Sequence, residues 1–129
     1  MEGFTSYYEK MILLRAGIYT KDQFVSKMFS SLNYVEGSIG ARVQPVSHAS
    51  FDAWIKSYRP NENSYNTTIS YYTKGSVIAN MLDLKIINAT NGEKSLDDLF
   101  DELITLRQKI AGNAGFVWRP ITLFRARLP

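Results

Sequence analysis

The chain has 129 residues, 45% of them hydrophobic and 21% charged, which suits one compact domain of ordinary size. It contains no cysteine and a single histidine, which excludes disulfide bonds, thiol nucleophiles and cysteine-ligated zinc. The net charge of +3 comes from residues 105–129, which hold five basic groups and no acidic one. We interpret this segment as a basic tail rather than a surface for nucleic acid or membranes.

Two amphipathic helices are predicted near the start of the chain. The first extends over residues 2–16, where apolar side chains recur at steps of three and four residues, and Gly17 ends it. The second follows Thr20, which forms a capping-box pattern with Gln23, and Gly37 closes it. Its predicted apolar face consists of Phe24, Met28, Leu32 and Val35.

The middle of the chain is predicted to be mostly loop. Residues 37–49 are expected to form a loop with a short extended piece at 41–43, after which Ser50 caps a short helix. Residues 58–66 are polar and rich in asparagine, and loops of this length often line a site. The short helix carries Phe51, Trp54 and Ile55.

Two further helices complete the predicted fold. One begins near Ser70 and ends at Thr90, before the turn Asn91-Gly92, and the other opens at Ser95. Together these elements predict an all-α array of four or five helices around one core. The predicted inner face of the last helix consists of Leu96, Leu99, Phe100, Leu103, Leu106 and Ile110.

Two places in the sequence suit chemistry. A glutamate in a first helical turn, Glu2, is either a metal ligand or an acid that stabilises the positive end of the helix dipole. Tyr71 and Tyr72 follow a polar loop, so a hydroxyl there either donates a hydrogen bond to an oxyanion or lies in water. The single histidine, His48, is interpreted as an ordinary loop residue.

Three segments carry a resemblance to a known family. Residues 2–7, Glu-Gly-Phe-Thr-Ser-Tyr, resemble the segment with the third zinc ligand of thermolysin-like metalloaminopeptidases. Residues 70–75, Ser-Tyr-Tyr-Thr-Lys-Gly, are similar to their downstream Tyr-x-Lys-Gly segment. The intervening residues 50–64 narrow the resemblance to the glycyl aminopeptidase family of zinc peptidases, over about residues 2–104.

The resemblance implies a zinc-dependent aminopeptidase that removes small N-terminal residues such as glycine. In that family zinc is bound by the two histidines of a His-Glu-x-x-His helix and by a glutamate, which corresponds to Glu2. The tyrosine that stabilises the transition state corresponds to Tyr72. Ser6 lies one turn after Glu2 on the same helical face and is a candidate partner of the histidine ligands.

The sequence departs from the family in lacking His-Glu-x-x-His. We therefore expect residues 1–104 to be the helical half of a catalytic domain, with 105–129 forming the end of the last helix and an atypical tail. Zinc and peptide substrate are expected to bind the longer protein, and this chain alone is expected to be inactive and zinc-free. Apolar faces exposed by the truncation would then favour a homodimer.

The sequence also leaves a second function open. The chain can be a non-catalytic helical module that binds peptides without cleaving them. In this interpretation the loop Arg59–Asn66 and the aromatic residues Tyr58, Tyr65, Tyr71 and Tyr72 grip the peptide.

Overall fold

The architecture is that of a computed structural model, which describes residues 2–111. These residues form helices and connecting turns without a β-strand, so the predicted all-α class is confirmed. They divide into two compact units, one up to Asn80 and one from Met81 onward. The elements are α1 (Glu2–Arg15), α2 (Lys21–Gly37), α3 (Ile39–Val43), α4 (Val46–Phe51), a π-helical segment (Ala53–Ser57), α5 (Ser64–Thr67), α6 (Tyr71–Ala89) and α7 (Leu96–Ala111).

The first unit has a core of few large side chains. α1 packs on α2, α2 packs on α3, and α3 packs on α5. Tyr7 and Leu14 of α1 and Met28 of α2 are buried, which confirms the apolar faces predicted from their spacing. The remaining buried apolar residues of this unit are small or β-branched, namely Ala49, Ala53, Ile69, Val77 and Ala79.

The helices α1 and α6 approach each other backbone to backbone at two glycines. A methyl group added to Gly75 would lie 2.8 Å from the Cα atom of Gly3, and one added to Gly3 would lie closer still to Gly75. Such contact requires residues without a side chain on both helices. The crossing therefore places the first turns of α1 and α6 side by side.

We expect Gly3→Ala to lower the free energy of unfolding by about 1–3 kcal/mol, because a methyl group there meets helix backbone that cannot rotate away. This expected loss is the net effect, after the gain of about 1 kcal/mol that alanine has over glycine inside a helix. Urea denaturation followed by circular dichroism measures the change. Gly37→Ala is the matched control, since a methyl group at Gly37 meets nothing within 4 Å. Equal stability of the two variants would contradict the close crossing.

The predicted ends of α1 and α2 are confirmed. Thr20 caps α2 by accepting from the Gln23 amide at 3.2 Å, and the Gln23 side chain accepts from the Thr20 amide at 2.9 Å. After α1, Gly17 has a φ of 72°, the left-handed conformation that suits glycine. The capping box and the glycine stop thus work as the sequence predicted.

The prediction for residues 37–49 was wrong. Instead of a loop with an extended piece, the chain forms α3 and α4 there, joined at Gln44 and Pro45. Ser50 does not cap a helix but lies inside α4, which begins after Pro45. Both helices are five or six residues long, too short for an apolar period to show.

The second unit contains the end of α6 and all described residues of α7. Asn91 and Gly92 adopt positive φ angles of 51° and 85° and end α6 as predicted. The Asp83 carboxylate accepts from the Leu96 amide at 2.8 Å, so a buried acid binds an amide at the start of α7. Leu103 and Leu106 are about half exposed, at 50% and 52%, rather than on an inner face as predicted.

Two further findings concern membrane-spanning helices and the end of the chain. None of the helices within residues 2–111 combines the length and the apolar character needed to cross a membrane. The predicted tail lies outside the described residues from residue 112 onward, as does the side chain of Ile110.

Candidate functional site

The two residues singled out for chemistry lie in neighbouring helical turns of the first unit. Glu2 is exposed in the first turn of α1, and Tyr72 is 38% exposed in the first turn of α6. The contact between Gly3 and Gly75 brings these turns together. The negative charge of Glu2 is close enough to contribute to the raised pKa of Tyr72, after larger effects of neighbouring tyrosine hydroxyls. The structure thus brings together a carboxylate and a phenol that are 70 residues apart in sequence.

Tyr72 belongs to a cluster of three tyrosines. The hydroxyl groups of Tyr58 and Tyr71 form a hydrogen bond of 3.1 Å. The rings of Tyr71 and Tyr72 lie with their centroids 4.5 Å apart and tilted by 37°. Tyr58 and Tyr71 flank residues 59–70, which were predicted as a loop up to residue 66 but contain the short helix α5, and the hydrogen bond closes this segment across 13 residues.

The shared hydrogen bonds shift the pKa values of the three tyrosines in different directions. Hydrogen bonds from Tyr71 and Tyr72 lower the pKa of Tyr58, against partial desolvation and the charge of Glu2. The hydrogen bond with Tyr58 is the main cause that raises the pKa of Tyr71. For Tyr72, the hydrogen bond with Tyr71 lowers the pKa, but the hydrogen bond with Tyr58, desolvation and the charge of Glu2 raise it overall. Tyr72 therefore keeps its proton at neutral pH and can donate a hydrogen bond.

Because hydrogen bonds from Tyr71 and Tyr72 lower the pKa of Tyr58, we expect part of the tyrosinate absorbance to develop at lower pH than for a tyrosine with the ordinary pKa of about 10. Tyr58→Phe should remove this early step, since no phenolate then accepts the two hydrogen bonds. Spectrophotometric titration in the near ultraviolet measures it. Tyr65→Phe is the control, because Tyr65 is exposed and lies outside the cluster. An early step that persists in Tyr58→Phe would assign it to another residue.

The segment that leads into α6 is fixed against α3. The Lys74 ammonium donates hydrogen bonds to the carbonyl oxygens of Ala41 at 2.7 Å and Gln44 at 2.9 Å, at the end of α3. The buried Gln44 side chain accepts from the Ile69 amide at 3.0 Å. These bonds hold the first turn of α6, and with it Tyr72, in place.

The first unit also contains a cleft of about 210 Å³. Ser57 and Ser70, which line it, directly precede Tyr58 and Tyr71 in the sequence. Lys56 is the charged residue at its edge and pairs with Asp52 at 2.7 Å. The cleft therefore offers mostly hydroxyl groups and one cation.

The other predicted site residues have simpler environments. Ser6 is half-buried one turn after Glu2, and its carbonyl oxygen accepts from Lys10 at 3.1 Å. His48 is exposed in α4, so its predicted place in a loop was wrong. Among residues 2–111, no group of three or more histidine, cysteine, aspartate or glutamate side chains is arranged to bind a metal ion.

The family model of the M61 glycyl aminopeptidases matches residues 1–78 of the chain. The match includes all three segments on which the resemblance rests, and it spans more than half of the sequence. The chain belongs to the M61 glycyl aminopeptidase family. Comparisons with curated proteins and with solved structures give no match. The matched residues end at 78, before residue 104 to which the resemblance was expected to extend.

Several features of the site were missed from the sequence. The pairing of Tyr58 with Tyr71 and the anchoring of α3 by Lys74 depend on tertiary contacts, for which the sequence gives no local signal. The close crossing had a usable signal, because a glycine inside a helix costs stability unless the backbone needs the space. Gly3 and Gly75 both lie inside helices.

Proposed function

We propose that this chain contributes Glu2 and Tyr72 to a zinc-dependent aminopeptidase that acts on small N-terminal residues such as glycine. The family membership supports peptide hydrolysis as the reaction class. The finer assignment is supported by one structural observation, the convergence of Glu2 and Tyr72 at the crossing of α1 and α6.

Within this function, Tyr72 donates a hydrogen bond to the carbonyl oxygen of the peptide bond that is cleaved. Its raised pKa keeps the hydroxyl protonated, and its 38% exposure leaves the hydroxyl accessible to a ligand. Such a donor stabilises the peptide carbonyl oxygen as negative charge develops on it during hydrolysis. Tyr71 orients the Tyr72 phenol through the contact between their rings, and the hydrogen bond with Tyr58 fixes Tyr71 in turn.

Zinc is proposed to be bound mainly by residues outside this sequence. Glu2 is the one ligand that this chain supplies, and a catalytic zinc site has three protein ligands. The ion polarises a carbonyl and activates a water when it is bound. The chain by itself is accordingly proposed to bind no zinc and to have no peptidase activity.

The native gene upstream of codon 2 tests this proposal directly. We expect it to encode His-Glu-x-x-His shortly before Glu2, and the protein expressed from this extended gene to contain zinc and to release N-terminal glycine from peptides. An upstream sequence without this motif, or an extended protein without peptidase activity, would overturn the proposed function.

A further inference from the structure

Four aromatic side chains of the first unit form a continuous strip on its surface. Trp54 and Tyr58 have ring centroids 5.0 Å apart, tilted by 38°. Tyr58 is joined to Tyr71 by the hydroxyl hydrogen bond of 3.1 Å, and Tyr71 contacts Tyr72 ring to ring at 4.5 Å. We call Trp54, Tyr58, Tyr71 and Tyr72 the aromatic strip. Each member contacts the next, so the strip ends at Tyr72, beside Glu2.

Trp54, at the outer end of the strip, is exposed because α4 and the π-helical segment pack with their alanines towards the core. Ala49 and Ala53 are buried, whereas Phe51 and Trp54 are 89% and 80% exposed. Burying a large apolar side chain typically stabilises a protein by about 1.5–3 kcal/mol. Leaving such residues in water while alanines fill the core is typical of a binding surface.

A cleft lined in part by sequence neighbours of the strip suits a polypeptide. This cleft of about 210 Å³ includes Ser57 and Ser70, the residues before Tyr58 and Tyr71, and it is smaller than a typical pocket for a whole small molecule, which has about 300–1000 Å³. It is open to one or two residues of an extended chain. Hydroxyl groups of Ser57, Ser70 and Thr68 line it and can pair with peptide amides and carbonyls. The strip then offers ring faces to the side chains of the same peptide.

Because the aromatic strip extends without a break to Tyr72, we propose that it binds the peptide substrate. We propose that it favours a large apolar or aromatic side chain after the N-terminal residues. The proposal rests on the proposed function in taking a peptide as the ligand. It adds a side-chain preference to the proposed function and assigns that preference to Trp54. Aromatic side chains suit this role because ring pairs gain energy beyond the area they bury.

The test uses this chain and two tetrapeptide amides, Gly-Gly-Phe-Gly and Gly-Gly-Ala-Gly, titrated by NMR. We expect the phenylalanine peptide to bind about tenfold more tightly than the alanine peptide, the effect of one good aromatic contact. Trp54→Ala should abolish this preference without unfolding the chain, because the side chain is largely exposed. Phe29→Ala is the matched control, since Phe29 is an exposed aromatic residue of α2 and should leave the preference unchanged.

Two outcomes would overturn the proposal. One is equal affinity for the two peptides, or a preference that Trp54→Ala retains. The other is a concentration-dependent dimer, seen by light scattering, that Trp54→Ala dissociates while neither peptide is preferred. Neither titration needs zinc, so the two proposals can fail separately. If the upstream gene encodes His-Glu-x-x-His but the chain does not prefer the phenylalanine peptide, only the proposal for the aromatic strip is rejected. If the chain prefers the phenylalanine peptide but the upstream gene lacks the motif, only the proposed zinc peptidase function is rejected.

Discussion

Tyr72→Phe is expected to lower kcat by about 100- to 1000-fold in the extended protein that includes the upstream histidine segment, with little change in KM. In the proposed function the hydroxyl acts on charge that develops only in the transition state, so its loss should affect turnover more than substrate binding. The ring contact with Tyr71 at 4.5 Å is retained in the variant, because phenylalanine keeps the ring. Steady-state kinetics with a glycine-containing peptide measures both constants.

The control for this experiment is Tyr19→Phe. Tyr19 is half-buried between α1 and α2, so its hydroxyl tests for a general effect of removing a phenol. We expect wild-type kinetics for this variant. A similar loss of kcat in both variants, or a rise in KM alone for Tyr72→Phe, would show that Tyr72 does not act on the transition state.

The four long helices were predictable because each combines a regular apolar spacing with a chemical signal at an end. α2 has its Thr20–Gln23 capping box, and α6 stops at Asn91-Gly92. α3 and α4 were not predictable in this way. They are a single turn or little more, and their sequence contains glycine, serine and proline, which are typical of turns. Contacts with the rest of the first unit stabilise them instead, such as the bonds from Lys74 to the end of α3.

The candidate site also has one part that could be predicted from the sequence and one that could not. Glu2 and Tyr72 were identified from short segments that resemble a family, and the same segments contain the glycines that bring them together. The partners of Tyr72 were named only as aromatic residues near a loop. Their hydrogen bond requires the loop between Tyr58 and Tyr71 to fold back on itself, which is a property of the packed structure. The exposure of Trp54 was equally hidden, because helical spacing gives a face but not which face is buried.

Glu2→Ala is expected to reduce bound zinc in the extended protein from about one equivalent to a small fraction, because the proposed three-ligand site would lose its carboxylate. Even replacement of residues that only orient metal ligands commonly weakens affinity about 10- to 100-fold, so loss of a ligand should have at least this effect. Metal analysis after dialysis against a weak chelator measures the bound zinc. Thermal unfolding of the same variant measures the other role of Glu2, stabilisation of the α1 dipole.

The two interpretations of Glu2 give different results in this pair of measurements. If Glu2 only stabilises the helix dipole, Glu2→Ala lowers stability by about 0.3–1 kcal/mol and leaves the zinc content unchanged. If it is a ligand, zinc is lost by an amount that the dipole cannot explain. Glu9→Ala is the matched control, since Glu9 is an exposed glutamate two turns further along α1. We expect Glu9→Ala to retain zinc, and loss of zinc in both variants would point to a general effect of acidic charge on α1 rather than to coordination by Glu2.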